Sequence, residues 1–148
     1  MAMIEHPTLD TERRLAAQGC DVVIGCDEVG RGALAGPVMV GAAAMWSRDL
    51  AAAQVPAGVA DSKLLTEHRR EGIVDELRSW CAAYAVGQAS NAEIDEWGIS
   101  HALGIAALRA LNDVERQLGM DGPAGSGRRV DVILDGPNDY ITKTMNTF

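Results

Sequence analysis

Two acidic residues, Asp27 and Glu28, stand side by side directly after the apolar run at residues 21–26, DVVIGC. A folded chain tolerates paired carboxylates against a strand only where they reach water, a cation or hydrogen-bond donors. A third acid, Asp135, follows the run VDVIL and precedes Gly136 and Pro137. A sheet that aligned the two runs would bring the three carboxylates together. Oxygen donors without His or Cys partners suit magnesium or manganese and make a poor zinc site. Such a cluster fits two-metal phosphodiester hydrolysis, in which one ion activates water and the other steadies the leaving oxygen. Singly, each Asp at a strand end reads as a turn former or a helix cap, so the inference depends on their convergence. In a regular strand Asp27 and Glu28 point to opposite faces, and joint use requires the strand to twist, bulge or end there. Gly30 and Gly32 provide for such an ending.

A competing motif shares the segment. GRGALA, at residues 30–35, follows a strand with the glycine spacing of a dinucleotide-binding turn, which would make the protein a cofactor-binding oxidoreductase. Asp27 and Glu28 would then face an anionic pyrophosphate, Gly36 and Pro37 interrupt the helix required there, and the run that follows reads as strand. These three features count against it.

The elements that must position the carboxylates can be read from periodicity. Residues 21–26 and 37–46 predict two strands joined through the glycine-rich connection, and residues 47–58 a loop or short helical turn. Thr66 is placed to cap a helix running to about Ala83, with Ile73, Leu77, Trp80 and Cys81 on one face. A strand is predicted at residues 84–89, then a short helix capped by Asn91 and ending near Gly98. Leu103, Ala107, Leu111, Val114 and Leu118 recur at helical spacing, predicting a long helix over residues 100–118 stopped by Gly119. His101 falls in that helix and reads as packed or solvated. Residues 119–129, with four glycines and a proline, read as an exposed loop before the final strand, residues 130–134. The order of elements implies an α/β fold, one mixed central sheet flanked by helices, with no internal repeat or domain linker.

The 148 residues fit one domain, and 47% apolar with 23% charged residues is ordinary for a water-soluble protein. Residues 1–20 are taken as an N-terminal extension and 21–148 as the domain. Neither a signal peptide nor a membrane span is visible, which makes the cytoplasm the expected location and a monomer the default. Cys20, Cys26 and Cys81 lack the pairing of a disulfide framework or zinc site and read as buried hydrophobes. A net charge of −8 argues against a general nucleic-acid coat, although bound dications would reverse the local field that phosphates meet.

The run DEVGRGALAGPV, residues 27–38, resembles the signature of ribonuclease HII. DSKLL at residues 61–65 resembles that family's DSK element, and LDG at 134–136 its third acidic position. The resemblance spans about residues 22–140. It implies a ribonuclease H-like fold, cleavage of the RNA strand of RNA/DNA hybrids and at ribonucleotides embedded in DNA, and products with 5′-phosphate and 3′-hydroxyl ends. It further implies that Asp27, Glu28 and Asp135 bind Mg2+ or Mn2+, two ions in the complete enzyme. Gly30, Arg31 and Gly32 would read the ribose 2′-hydroxyl through backbone that glycine lets approach closely. Lys63 would contact a phosphate, a role its bare sequence context, a solvated lysine before a helix, does not suggest. Asp61 and Ser62 shape the turn.

The family also has a fourth acid, in a Lys-x-Asp element followed by a helix of small residues and further helices. This sequence stops before such an element, and Asp139 lies too close to Asp135 to take that position. The chain is therefore expected to lack the C-terminal part and to cleave poorly by itself. The contrasting expectation is a noncatalytic, hybrid-binding fragment.

Overall fold

The computed structural model describes residues 8–29, 37–56, 76–120, 128–134 and 139–147. Its strands are β1 (Val22–Val29), β2 (Val38–Trp46), β3 (Ala83–Ala89) and β4 (Val130–Leu134). Its helices are α1 (Asp10–Ala17), α2 (Ser47–Leu50), α3 (described at 76–80), α4 (Asn91–Trp97), α5 (Ile99–Gln117) and α6 (Tyr140–Thr147). The sheet has the order β3-β2-β1-β4. β1 runs antiparallel to β2 and parallel to β4, and β2 antiparallel to β3, so the sheet is mixed as expected.

Period-two alternation divides the sheet into two faces. Val22, Ile24 and Cys26 of β1, with Val40, Ala42 and Ala44 of β2, pack beneath α5. Val23 turns the other way and joins Leu9, Cys20 and Leu50 in a second cluster that holds α1 and α2. Arg13 clamps those two helices by donating to the carbonyls of Leu50 (3.1 Å) and Ala53 (2.8 Å). Residues 8–20, which periodicity left unassigned, thus build part of the packing.

The main core is made largely of small side chains. Ala83, Ala85 and Ala89 of β3 meet Ala102, Ala106, Ala107 and Ala110 of α5. Alanine on both surfaces lets the helix approach the sheet closely, and at Gly87 even a methyl group has no room: a Cβ there would meet the carbonyl oxygen of Ala106 and sit 2.6 Å from the amide nitrogen of Ala110. Gly104 makes a similar allowance on the outer side of α5, where a Cβ would meet the Thr144 side chain and lie 2.6 Å from the Tyr140 carbonyl oxygen of α6. Gly104→Ala is expected to push α6 off α5, costing about 1–3 kcal/mol, the usual range for overpacking. A urea midpoint equal to that of the unaltered chain would contradict this contact.

Element boundaries differ from the periodicity reading in two instructive places. The helix predicted to reach Ala83 ends by Trp80, because the Ala82 amide donates to the Ala44 carbonyl at 2.8 Å and Ala83 pairs with Ala44 in the sheet. The start predicted for that helix, Thr66, lies outside the described residues. The cap of α4 is Ser90, not Asn91: the Ser90 hydroxyl accepts from the Glu93 amide while the Glu93 carboxylate accepts from the Ser90 amide, a complete capping box.

Candidate metal and phosphodiester site

β1 carries both adjacent acids within its length. Asp27 lies opposite Gly41 and Glu28 opposite Val40, in an antiparallel ladder whose register is unbroken from Val22–Trp46 to Val29–Met39. The strand thus neither ends nor bulges at the carboxylates, as joint use was expected to require. Alternation puts Asp27 on the face of Val23 and Gly25, where it is exposed, and Glu28 on the face of Ile24 and Cys26, where it is half-buried. The Asp27 Oδ1 accepts the Glu28 amide at 2.8 Å, which leaves Oδ2 and the outer lone pairs for other partners.

On the other side of β1 the parallel ladder to β4 reaches Cys26–Leu134, its last pair among the described residues. Asp27 therefore lies one residue beyond the last described β1 position paired with β4, and in sequence Asp135 lies one residue beyond Leu134. Asp135 lies outside the described residues, as do Gly30, Arg31, Gly32 and Lys63.

Among the described residues, little stands beside Asp27 on its own face. Gly25, two residues earlier on the same face, is exposed, with nothing within 4 Å of where a Cβ would stand, and the residue opposite Asp27 is Gly41. The exposed Gly25 beside an exposed carboxylate leaves room on that face for a hydrated ion, and hard oxygen donors match magnesium or manganese. Among the described residues no three His, Cys, Asp or Glu side chains converge, and of the three predicted ligands only Asp27 and Glu28 are among those residues. Cys26, next to them, has its side chain in the core, where burial pushes its thiol up to about 11. Asp139 is likewise occupied, accepting from the Thr142 amide (2.9 Å) and hydroxyl (2.6 Å) at the start of α6.

The same end of the sheet carries a groove of about 470 Å3 lined by Pro37, Gln88, Ser90, Asn91, Glu93 and Arg109. Arg109 ties its rim together by donating to the Gln88 carbonyl (2.7 Å) and to both Glu93 carboxylate oxygens (2.8 and 2.7 Å). Periodicity did not single out this pair, since its members are 16 residues apart. The Arg109 hydrogen bonds, followed by that from the Ser90 backbone, lower the Glu93 carboxyl from 4.5 to about 2. A depressed folded-state value stabilises the fold above the unfolded value, and the benefit is lost as pH falls through the folded one. Glu93→Gln is therefore expected to lower the urea midpoint at pH 7, by an amount that shrinks as pH is lowered from about 4.5 towards 2. A difference independent of pH would show that charge at Glu93 is not what matters.

A mixed sheet in this order, with acids at the end of a parallel strand pair and helices on both faces, defines a ribonuclease H-like α/β fold. The sequence profile of Ribonuclease HII matches residues 24–119, and the chain belongs to that family. It is 46% identical over 138 residues to the ribonuclease HII of Streptomyces avermitilis, covering 93% of this chain and 52% of that protein. The chain thus spans about half the length of the relatives it matches. Among solved structures, the ribonuclease H2 of Pyrococcus horikoshii OT3 aligns with a TM-score of 0.55 and 25% identity, over 84% of this chain and 68% of that one. Bst-RNase HIII, solved in complex with Mn2+, aligns with a TM-score of 0.58 and 24% identity, over 88% of this chain and 42% of that one. Among the described residues no helix is long and apolar enough to cross a membrane.

Proposed function

We propose that this chain carries the metal-binding half of a cytoplasmic endonuclease that hydrolyses the RNA strand of RNA/DNA hybrids and cuts at ribonucleotides embedded in duplex DNA. The observation that carries the reading is the β1–β4 register. With Cys26 paired to Leu134, one further step of the same parallel ladder would set Asp135 beside Asp27, on the face that Gly25 leaves open.

Asp27, Glu28 and Asp135 would hold two divalent ions, magnesium or manganese, the latter being the ion in the Bst-RNase HIII complex of similar fold. Bound there, the ions would supply an activated water and neutralise charge on the phosphodiester and its leaving 3′-oxygen, giving 5′-phosphate and 3′-hydroxyl products. The protein's own part is positional. β1 is gripped on one side by β2 along its whole length and on the other by β4 up to Cys26, so the Asp27 backbone is held rigidly while its carboxylate faces solvent. Gly30, Arg31 and Gly32 would present backbone groups to the ribose 2′-hydroxyl, which distinguishes RNA from DNA. Lys63 would contact a flanking phosphate. The protein would act as a monomer.

Incubation of a DNA duplex carrying one ribonucleotide, with Mg2+ or Mn2+ and with EDTA as control, tests the reading. Metal-dependent cleavage at the 5′ side of the ribonucleotide, leaving a 3′-hydroxyl, is expected. A folded chain that retains the duplex but leaves it uncut would replace the catalytic reading with a binding one.

A further inference from the structure

Trp46, at the end of β2, is half-buried, and two guanidinium groups lie over its indole: Arg48 at 4.5 Å and Arg128 at 5.4 Å from the ring centroid. The strands bring them together. Trp46 pairs with Val22, and Val22 with Val130, so Arg48, two residues after β2, and Arg128, two residues before β4, share one corner of the sheet. Three other arginines spend their donors on groups of the fold: Arg13 on carbonyls, Arg109 on Glu93, Arg129 on Asp131 and the Gln18 carbonyl. Among the described residues Arg48 and Arg128 make neither an ion pair nor a hydrogen bond, and both are exposed. Nearby acids are engaged or offset: Asp21 accepts the Arg129 amide, Asp131 pairs with Arg129, and Asp49 follows Arg48 in α2.

Two like charges on one indole repel each other, and cation–π attraction of about 0.5–1 kcal/mol each at an exposed site compensates only in part. What completes such a cluster is an anion. In a chain of net charge −8, a pair of unspent guanidinium groups is where a polyanion can land. Planar forks suit phosphate oxygens, and the uncovered part of the indole adds a surface for sugar or base contact.

We infer that Arg48, Trp46 and Arg128 form a second nucleic-acid site, which takes backbone phosphates at the end of the sheet opposite Asp27 and Glu28. Five strand steps separate Val22, beside Trp46, from Asp27, roughly 17 Å along β1. Both faces between the two ends carry helices, α5 on one and α1 with α2 on the other. The site therefore engages a separate segment of nucleic acid from the one at the carboxylates, and its occupation needs no metal.

The test uses this chain in EDTA with a 12-base-pair DNA duplex free of ribonucleotides, followed by tryptophan emission and by affinity over a salt series. The duplex should alter the emission of the unaltered chain but not that of Trp46→Phe. Arg48→Gln/Arg128→Gln should lower the slope of log affinity against log salt by about 1.8, two phosphate contacts at about 0.9 each. Arg48→Lys/Arg128→Lys should keep most of that slope. The proposal is overturned if Trp46 emission does not respond, if the Gln variant retains the full slope, or if the Lys variant loses as much as the Gln variant. It is equally overturned if polyglutamate binds as tightly and with the same loss in the Gln variant, since the corner would then be an acidic-protein contact.

Discussion

Asp27→Asn is expected to lower cleavage of a ribonucleotide-containing duplex by about a thousandfold or more, while leaving the fold intact. Removing a single electrostatic contributor to a developing phosphodiester charge commonly costs about 10²–10³ in rate, and Asp27 would serve ions that act on both the attacking and leaving oxygens. Asn has the same shape and keeps an oxygen to accept the Glu28 amide, the hydrogen bond that Asp27 makes here at 2.8 Å. What it lacks is the negative charge. Because the side chain is exposed and faces the open surface beside Gly25, no core contact is lost with it.

A second readout does not depend on turnover. Metal that binds only the folded chain raises its melting temperature by mass action, so the unaltered protein should melt higher in magnesium or manganese than in EDTA. Asp27→Asn should show little of that rise. Cleavage at the original rate would remove Asp27 from the site. Lost cleavage with an unchanged metal-induced rise would leave Asp27 in the chemistry but not among the metal's main holders.

Gly87→Ala should be the most damaging single methyl group in the described core. Overpacking usually costs about 1–3 kcal/mol because side chains can swing aside. Here the obstructing atoms are the Ala106 carbonyl oxygen and the Ala110 amide nitrogen, backbone of α5 that has no rotamer to change. Relief requires the helix to lift from β3, which would open contacts along Ala102, Ala106 and Ala110 together. A cost at or above about 3 kcal/mol is expected, and at roughly 3 °C per kcal/mol for a chain of this size the melting midpoint falls by about 10 °C. Circular dichroism reads this directly. A fall of under about 2 °C would mean that α5 does not sit against β3 as closely as the geometry indicates.

Much of the fold was legible because the signals were local. DVVIGC and VDVIL are apolar runs short enough for strands, the 3.6-residue spacing of Leu103, Ala107, Leu111 and Val114 reports burial of one helix face, and the structure has β1, β4 and α5 at those positions. Element ends were less legible, since they depend on partners. Ala83 is compatible with a helix by itself and becomes strand because Ala44 is there to pair with it. The length of β1 shows the same limit: two carboxylates look like the end of a strand, yet the ladder to β2 continues to Val29. Backbone hydrogen bonds do not distinguish an acidic side chain that has access to water from an apolar one.

Membership of the family was legible in DEVGRGALAGPV, and acids without His or Cys partners pointed to hard, oxygen-loving ions. Two apolar runs were each seen to lead into acids, although β1 continues past its own to Val29. The tertiary structure alone decided that β1 and β4 are parallel neighbours, with Cys26 level with Leu134, and that Gly25 clears the surface next to Asp27. It alone brought Arg48 and Arg128 to one indole and Glu93 to Arg109. The physical reason is the same in each case. Residue type and periodicity report what a segment needs to bury or expose, whereas register and convergence arise from hydrogen bonds and packing between segments far apart in the chain.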